Sequence, residues 1–297
     1  MDQALERRVR DNLFPAAQDG IDFARFPWHG SEAGGSDADQ PHSSQALAID
    51  LFGTLRGSAE RDAVCNRLAA TLGLPTSDRW QVELEWLAPS EHLKEPHPTP
   101  VDAVAIGQRS LIFFACRFTE PDGGCCPETQ PFKRRGRPTA VPCNGNYAQQ
   151  VNPVNNLVGR CALTGKGIKY WEVIPRVFSI DAGTDHLPCP FAGPTYQWMR
   201  NLALCWSVAR ARNLKPAFLV VYADAPGLPM AARVHSAEWT GLLAQVRSDA
   251  IRFRAYSYQE LLRLAVAAAQ RERPLYQSLQ SWVEGKIARV AGAQKAR

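Results

Sequence analysis

Five of the eight cysteines, Cys125, Cys126, Cys143, Cys161 and Cys189, fall between residues 119 and 195, in chain rich in Pro and Gly and poor in apolar periodicity. Four thiolates holding Zn²⁺ or an iron–sulfur cluster would stabilise such a segment, which buries little apolar surface of its own. Cys126, Cys143, Cys161 and Cys189 are the candidate set, with Cys125 as the alternate for Cys126, because adjacent residues point apart. No Cys-x-x-Cys pair is present, and ordinary loop thiols are the competing reading. Cys65, Cys116 and Cys205 sit in apolar helical or strand patterns and read as small core residues. A second chemistry lies in the basic run Lys133, Arg134, Arg135 and Arg137, near Lys166, Lys169, Tyr147 and Tyr170. Charge and ring stacking there suit a nucleic-acid backbone; a solvated loop is the alternative. The sequence has no Gly-rich phosphate loop, no Gly-x-Ser-x-Gly elbow and no zinc-protease motif.

Composition frames these candidates. The 297 residues are 45% hydrophobic and 21% charged, so the chain can bury a core and is not disordered as a whole. The net charge of +5 suits a polyanionic partner without approaching a histone-like balance. No apolar run is long enough for a membrane helix, and MDQALERRVRDN lacks a signal core, so a cytoplasmic protein with no membrane partner is expected. Thiols or metal ligands then fit the cysteines better than a disulfide framework. No fixed-period repeat appears.

The elements that must position these residues follow from periodicity. Residues 1–40 start with a short polar helix and pass into a Gly/Ser/Asp-rich stretch, read as a flexible N-terminal arm. Ser43 or Ser44 caps a helix filled by Ala46, Leu47, Ile49, Leu51, Phe52 and Leu55, and a second helix runs from about Ala59 to Leu72. Trp80–Trp86 alternates, with Trp80, Val82, Leu84 and Trp86 on one face and Gln81, Glu83 and Glu85 on the other. Strands follow at 101–106 and 111–118, the latter nearly all apolar and therefore central. After the Cys-rich stretch come a helix from Tyr196, a buried strand at 217–222, a helix around 239–246, a strand at 251–256 and a helix at 259–270. The expected organisation is an α/β domain over 41–272 with a Cys-rich irregular insert at 119–195, then a C-terminal helix and basic tail at 273–297.

This order resembles the PD-(D/E)XK nuclease superfamily, whose core is a helix, a three-strand meander, a helix and a strand. More narrowly it is similar to a bacterial family of restriction-endonuclease-like proteins. The matching segments are His42-Ser43-Ser44-Gln45-Ala46-Leu47, Pro98-Thr99-Pro100-Val101-Asp102 and Arg117-Phe118-Thr119-Glu120-Pro121. The resemblance implies an action on DNA: Mg²⁺ held by an Asp and a Glu hydrolyses a phosphodiester bond, with a Lys positioning water or phosphate. It places the Asp at Asp102 and the Glu-x-Lys dyad on Ala115-Cys116-Arg117. Arg117 keeps the charge and can clamp a phosphate oxygen, but Ala115 offers no ligand. Glu85, on the preceding strand, or Glu120, if the chain turns at Thr119-Glu120-Pro121, is the substitute carboxylate. Gln45 on the first helix would reach the same spot. Some members of the superfamily carry a four-Cys iron–sulfur cluster, a precedent for the cysteines. The expected function is a DNA-acting, possible Mg²⁺-dependent endonuclease with a degenerate dyad. The competing classes are an inactive nuclease-fold binding protein and a structural Zn²⁺ or iron–sulfur protein.

Overall fold

The strands form where the apolar residues dictate. A computed structural model describes the chain apart from residues 1, 31–35, 78, 132, 135–136, 139–140, 148–160, 182, 184–187 and 296–297. In chain order the helices and strands are α1 (Gln3–Asp11), α2 (Ser44–Gly57), α3 (Arg61–Thr71), β1 (Trp80–Leu87), β2 (Pro100–Gly107) and β3 (Ser110–Arg117). The short β4 (Lys133–Arg134), β5 (Arg137–Pro138) and α4 (Ala162–Gly165) follow, then α5 (Tyr170–Val177) and α6 (Tyr196–Ala211). The chain continues through β6 (Lys215–Tyr222), α7 (Pro229–Arg233), α8 (Ala237–Gln245), β7 (Arg252–Ser257), α9 (Tyr258–Ala268) and α10 (Arg273–Lys295).

The main sheet has the order β1-β2-β3-β6-β7. Strands β1, β2 and β3 pair antiparallel, whereas β6 joins β3 and β7 joins β6 in parallel. The nearly all-apolar β3 is thus the middle strand, and its two faces feed two cores. Ile112, Phe114 and Cys116 pack toward α2, α9 and α10; Leu111, Phe113 and Ala115 pack toward α5 and α6. Helices therefore cover both faces of a mixed sheet, the layering expected when a strand is apolar on both sides. Phe113 and Phe114 are each fully buried, contributing roughly 1.5–3 kcal/mol apiece from water removal. No helix among the described residues is long and apolar enough to cross a membrane.

Helix α2 lies almost wholly in the core and begins as expected, with the Ser43 hydroxyl accepting from Ala46 N at 3.1 Å. Its Asp50 is fully buried and is held by Lys286 Nζ at 2.7 Å, Phe14 N at 2.6 Å and Trp282 Nε1 at 3.0 Å. Lys286 also donates to Asn12 O at 2.6 Å. A buried carboxylate and ammonium are tolerated because each finds several partners.

Three expectations need correction. Residues 1–40 are not an arm: Val9, Leu13, Phe14, Ala17, Phe23 and Ala38 are buried in the α2-side core. Enough apolar residues recur there to dock, and only 31–35 of the Gly/Ser-rich stretch lie outside the described residues. Helix α10 is not a separate tail, since Val283 and Ile287 are buried in that same core. The 119–195 segment is less irregular than expected, for Trp171, Ile174, Val177 and Phe178 bury one side of α5 and the residue after it in the α6-side core.

Candidate functional site

The pairing of β2 with β3 runs from Ile106·Leu111 to Ala103·Phe114 and stops there, although β1–β2 continues to Leu87·Pro100 and β3–β6 to Arg117·Tyr222. Past that point the Asp102 side chain takes the place of the backbone ladder, its Oδ2 accepting from Cys116 N at 2.6 Å. The Arg117 guanidinium lies 3.6 Å from the same oxygen. The site therefore stands at the carboxyl ends of the parallel strands β3 and β6, the end where open α/β sheets bind ligands. Burial pushes the Asp102 carboxyl up to about 6, against the opposing pull of Arg117 and the Cys116 N–H; the Glu85 charge adds to the rise. The Oδ1 atom makes no hydrogen bond among the described residues.

Glu85 reaches the site by a local departure from strand geometry. Leu84 pairs with Ala103 and Trp86 with Val101, so Glu85 stands opposite Asp102. Its φ is +48°, a left-handed conformation that costs a non-glycine residue on the order of 1 kcal/mol or more. The alternation of β1 changes phase there: Glu85 is 9% exposed and Leu87, two residues on, is 58% exposed. Glu85 consequently does not share the wet face of Glu83, as simple alternation predicts. It faces α2, where Gln45 Nε2 donates to its Oε1 at 2.7 Å. His29 Nε2 lies 3.2 Å from its Oε2. Gln45 also binds Pro27 O through Nε2 and accepts from His29 N through Oε1. The hydrogen bond to Glu85 raises the His29 pKa above its ordinary value, partly opposed by burial.

Arg117 is held on three sides. Nη1 donates to Cys116 O at 2.8 Å, Nε to Asp122 O at 3.3 Å and Nη2 to Gln197 Oε1 on α6 at 3.3 Å. Guanidinium donors are left over for an incoming anion. Glu120 does turn back, because the chain bends at Thr119-Glu120-Pro121. Its Oε2 accepts from Ser44 Oγ at 2.6 Å, Phe118 N at 2.9 Å and Thr119 N at 3.1 Å, which fixes the exit of β3 against the start of α2. The structure thus brings Asp102, Arg117, Glu85 and Gln45 together and employs Glu120 in the adjoining turn. His29 is the residue that sequence reasoning missed: it lies ahead of α2 beside Phe26 and Trp28, and no periodicity points from there to β1.

The cysteines form a second locus. Cys126, Cys143, Cys161 and Cys189 line one cavity, while Cys125 is exposed and Cys65, Cys116 and Cys205 are core residues. Burial pushes the Cys126 thiol up to about 12, with smaller contributions from Cys161, Cys189 and Cys143. No three His, Cys, Asp or Glu side chains among the described residues are gathered closely enough to hold a single metal ion. Of the basic run, Arg135 lies outside the described residues, as do the side chains of Lys133, Arg134 and Arg137; the backbones of β4 and β5 pair antiparallel.

No curated protein and no solved structure matches the chain. A family model does: REase-ARP, described as Restriction Endonuclease associating with ARP, matches residues 9–285. A match over nearly the whole length, on an α/β chain whose charged side chains meet at the carboxyl ends of its parallel strands, places this protein in the REase-ARP family.

Proposed function

We propose that this chain acts on DNA as a nuclease of the PD-(D/E)XK type, with Asp102, Glu85 and Arg117 as its reactive set. The observation that carries the reading is the meeting of Asp102 and Arg117, 3.6 Å apart, where β2 and β3 part. The family membership supports it.

The donor set suits Mg²⁺, which commonly takes only one or two carboxylates and completes its shell with water and phosphate oxygens. Asp102, through its open Oδ1, would hold the ion, and Glu85 is the second carboxylate opposite it. When bound, Mg²⁺ supplies a hydroxide-generating water and neutralises charge on the phosphate. The chain's own residues do the rest. Gln45 and His29 fix the Glu85 carboxylate from both sides. Arg117, braced by Asp122 and Gln197, offers its remaining N–H groups to a phosphate oxygen in a fork geometry a lysine lacks. Asp102 must lose its proton before it can serve, so activity should rise with pH through about 6.

A second reading, DNA binding without cleavage, is favoured by Ala115. It stands where the resemblance requires a glutamate, and it is buried in the α6-side core. Incubating duplex DNA with the protein and Mg²⁺ or Mn²⁺ separates the two. Cleavage that Asp102→Ala abolishes supports the nuclease; binding without cleavage supports the second reading; cleavage retained in Asp102→Ala moves the reaction elsewhere. Binding should weaken as salt rises, because phosphate contacts release counterions. Neutralising Lys133, Arg134, Arg135 and Arg137 together should flatten that dependence, whereas an unchanged slope would assign the run to solvent.

A further inference from the structure

The four cavity cysteines arrive from four separate pieces of chain. Cys126 precedes the turn at Pro127–Thr129, Cys161 precedes α4, and Cys143 and Cys189 lie in loops. Backbone hydrogen bonds lash these pieces together: Cys143 N to Glu128 O at 2.9 Å, Cys189 N to Gly145 O at 2.6 Å and Cys126 N to Ala192 O at 3.0 Å. Two of the sulfurs accept backbone N–H groups, Cys143 Sγ from Gly145 and Cys189 Sγ from Phe191, each at 3.4 Å. The Tyr147 hydroxyl lies 3.0 Å from Cys189 Sγ. Between the sulfurs the wall is chiefly aromatic and aliphatic, including Trp171, Ile174 and Met199.

Two facts must be met together. The four cysteines line a common cavity, yet among the described residues they are not gathered as ligands of one ion. A tetrahedral Zn²⁺ draws its sulfurs in to bonds of about 2.3 Å. A cluster relaxes that demand, because each thiolate binds a different iron and the sulfurs stand around the cluster rather than around a point. Clusters are also tuned by N–H groups directed at their ligand sulfurs and by an apolar surround. We infer that Cys126, Cys143, Cys161 and Cys189 bind a four-iron, four-sulfide cluster. Each thiol binds iron as the thiolate and releases its proton to water. This inference does not depend on the nuclease reading.

The test starts from the unaltered full chain, purified without oxygen. About four iron and four acid-labile sulfide per chain, with broad visible absorbance bleached by a chemical reductant, are expected for such a cluster. Stoichiometric zinc without sulfide would overturn the inference. So would metal-free protein that gains no visible absorbance when supplied with ferric and ferrous iron and sulfide in the absence of oxygen. Replacing any one of the four by serine should lower iron and sulfide content at least severalfold, while Cys125→Ser and Cys205→Ala should keep both. Equal cluster content in all of these variants would sink the ligand assignment. Because the wild-type analysis needs no variant, a serine substitution that fails to fold leaves the question decided.

Discussion

At the sheet edge most polar atoms already have a partner within the chain. Both Glu85 oxygens, one Asp102 oxygen and three Arg117 nitrogens are engaged, by groups on α2, β3 and α6 and by His29 and Asp122 from the adjoining loops. The cysteine cavity is built the other way. Its thiols project from loops and short turns, and its wall offers mostly carbon. The first site is held by hydrogen bonds to its side chains; the second has its loops tied by backbone hydrogen bonds and leaves its thiols for the cluster inferred above. Burial alone does not separate the two, for each combines buried with half-buried groups. What separates them is whether removing a bound group would leave the surrounding chain with a reason to stay ordered.

The largest test of that contrast removes the cavity's ligand. A group held by four thiolates contributes on the order of 10 kcal/mol to the folding of its segment. Hydrogen exchange in α4 and α5 should therefore quicken greatly when the protein is stripped of metal, while β3 and β6 stay protected. Equal loss of protection in the sheet would erase the distinction. Next in size, Gln45→Leu should cost about 2–3 kcal/mol in urea unfolding, because it leaves Glu85 Oε1, His29 N and Pro27 O without their partner. An effect below about 0.5 kcal/mol would mean the Glu85 cage is not preorganised.

Asp102→Asn should act in the opposite direction. The folded carboxyl sits at about 6 against an ordinary value of 3.8, so its ionised form is disfavoured by folding. The penalty grows as pH rises from about 4 to about 6 and stays constant above that. With its side chain 24% exposed, the effect is about 1–2 kcal/mol, so the variant should be that much more stable than wild type at pH 7 and equal to it near pH 4. A variant less stable at pH 7 would show that the negative charge is needed by Arg117 and Cys116. The smallest effect belongs to His29, whose side chain is 48% exposed. Its raised pKa means that pairing with Glu85 is fully present below about 6.5 and fades as pH climbs through the higher folded value. His29→Ala should cost less than about 1 kcal/mol at pH 6 and still less at pH 9. A pH-independent loss would point to packing.

The sequence carried much of this architecture and specific parts of the site. The two-sided apolar run of β3 announced a middle strand, and the Ser43 cap and apolar stripes announced α2 and α6. Asp102 and Arg117 were reachable through the matching segments around them. The inward turn of Glu85 was not, because alternation presumes extended backbone and one left-handed residue reverses which face follows. Its partner His29 was hidden for another reason: the segment around it is aperiodic and leads into a Gly/Ser-rich run, so it reads as loose chain until Phe23 and Trp28 are seen docked on the core. The grouping of the cysteines was visible by subtraction, once Cys65, Cys116 and Cys205 were assigned to apolar stripes. Their spacing held nothing, since loops closed by long-range backbone hydrogen bonds leave no local period.

The Asp50–Lys286 pair has a consequence for how the molecule comes into being. A chain emerges from the ribosome amino end first, and domains ordinarily begin to fold as they appear. Here the core helix α2 carries a carboxylate whose ammonium partner lies 236 residues further along the chain, and the same ammonium ties down Asn12. Until residue 286 is made, burying α2 means burying an unmatched charge. Closure of the α2-side core is thereby tied to the arrival of α10, which follows β7 in the chain.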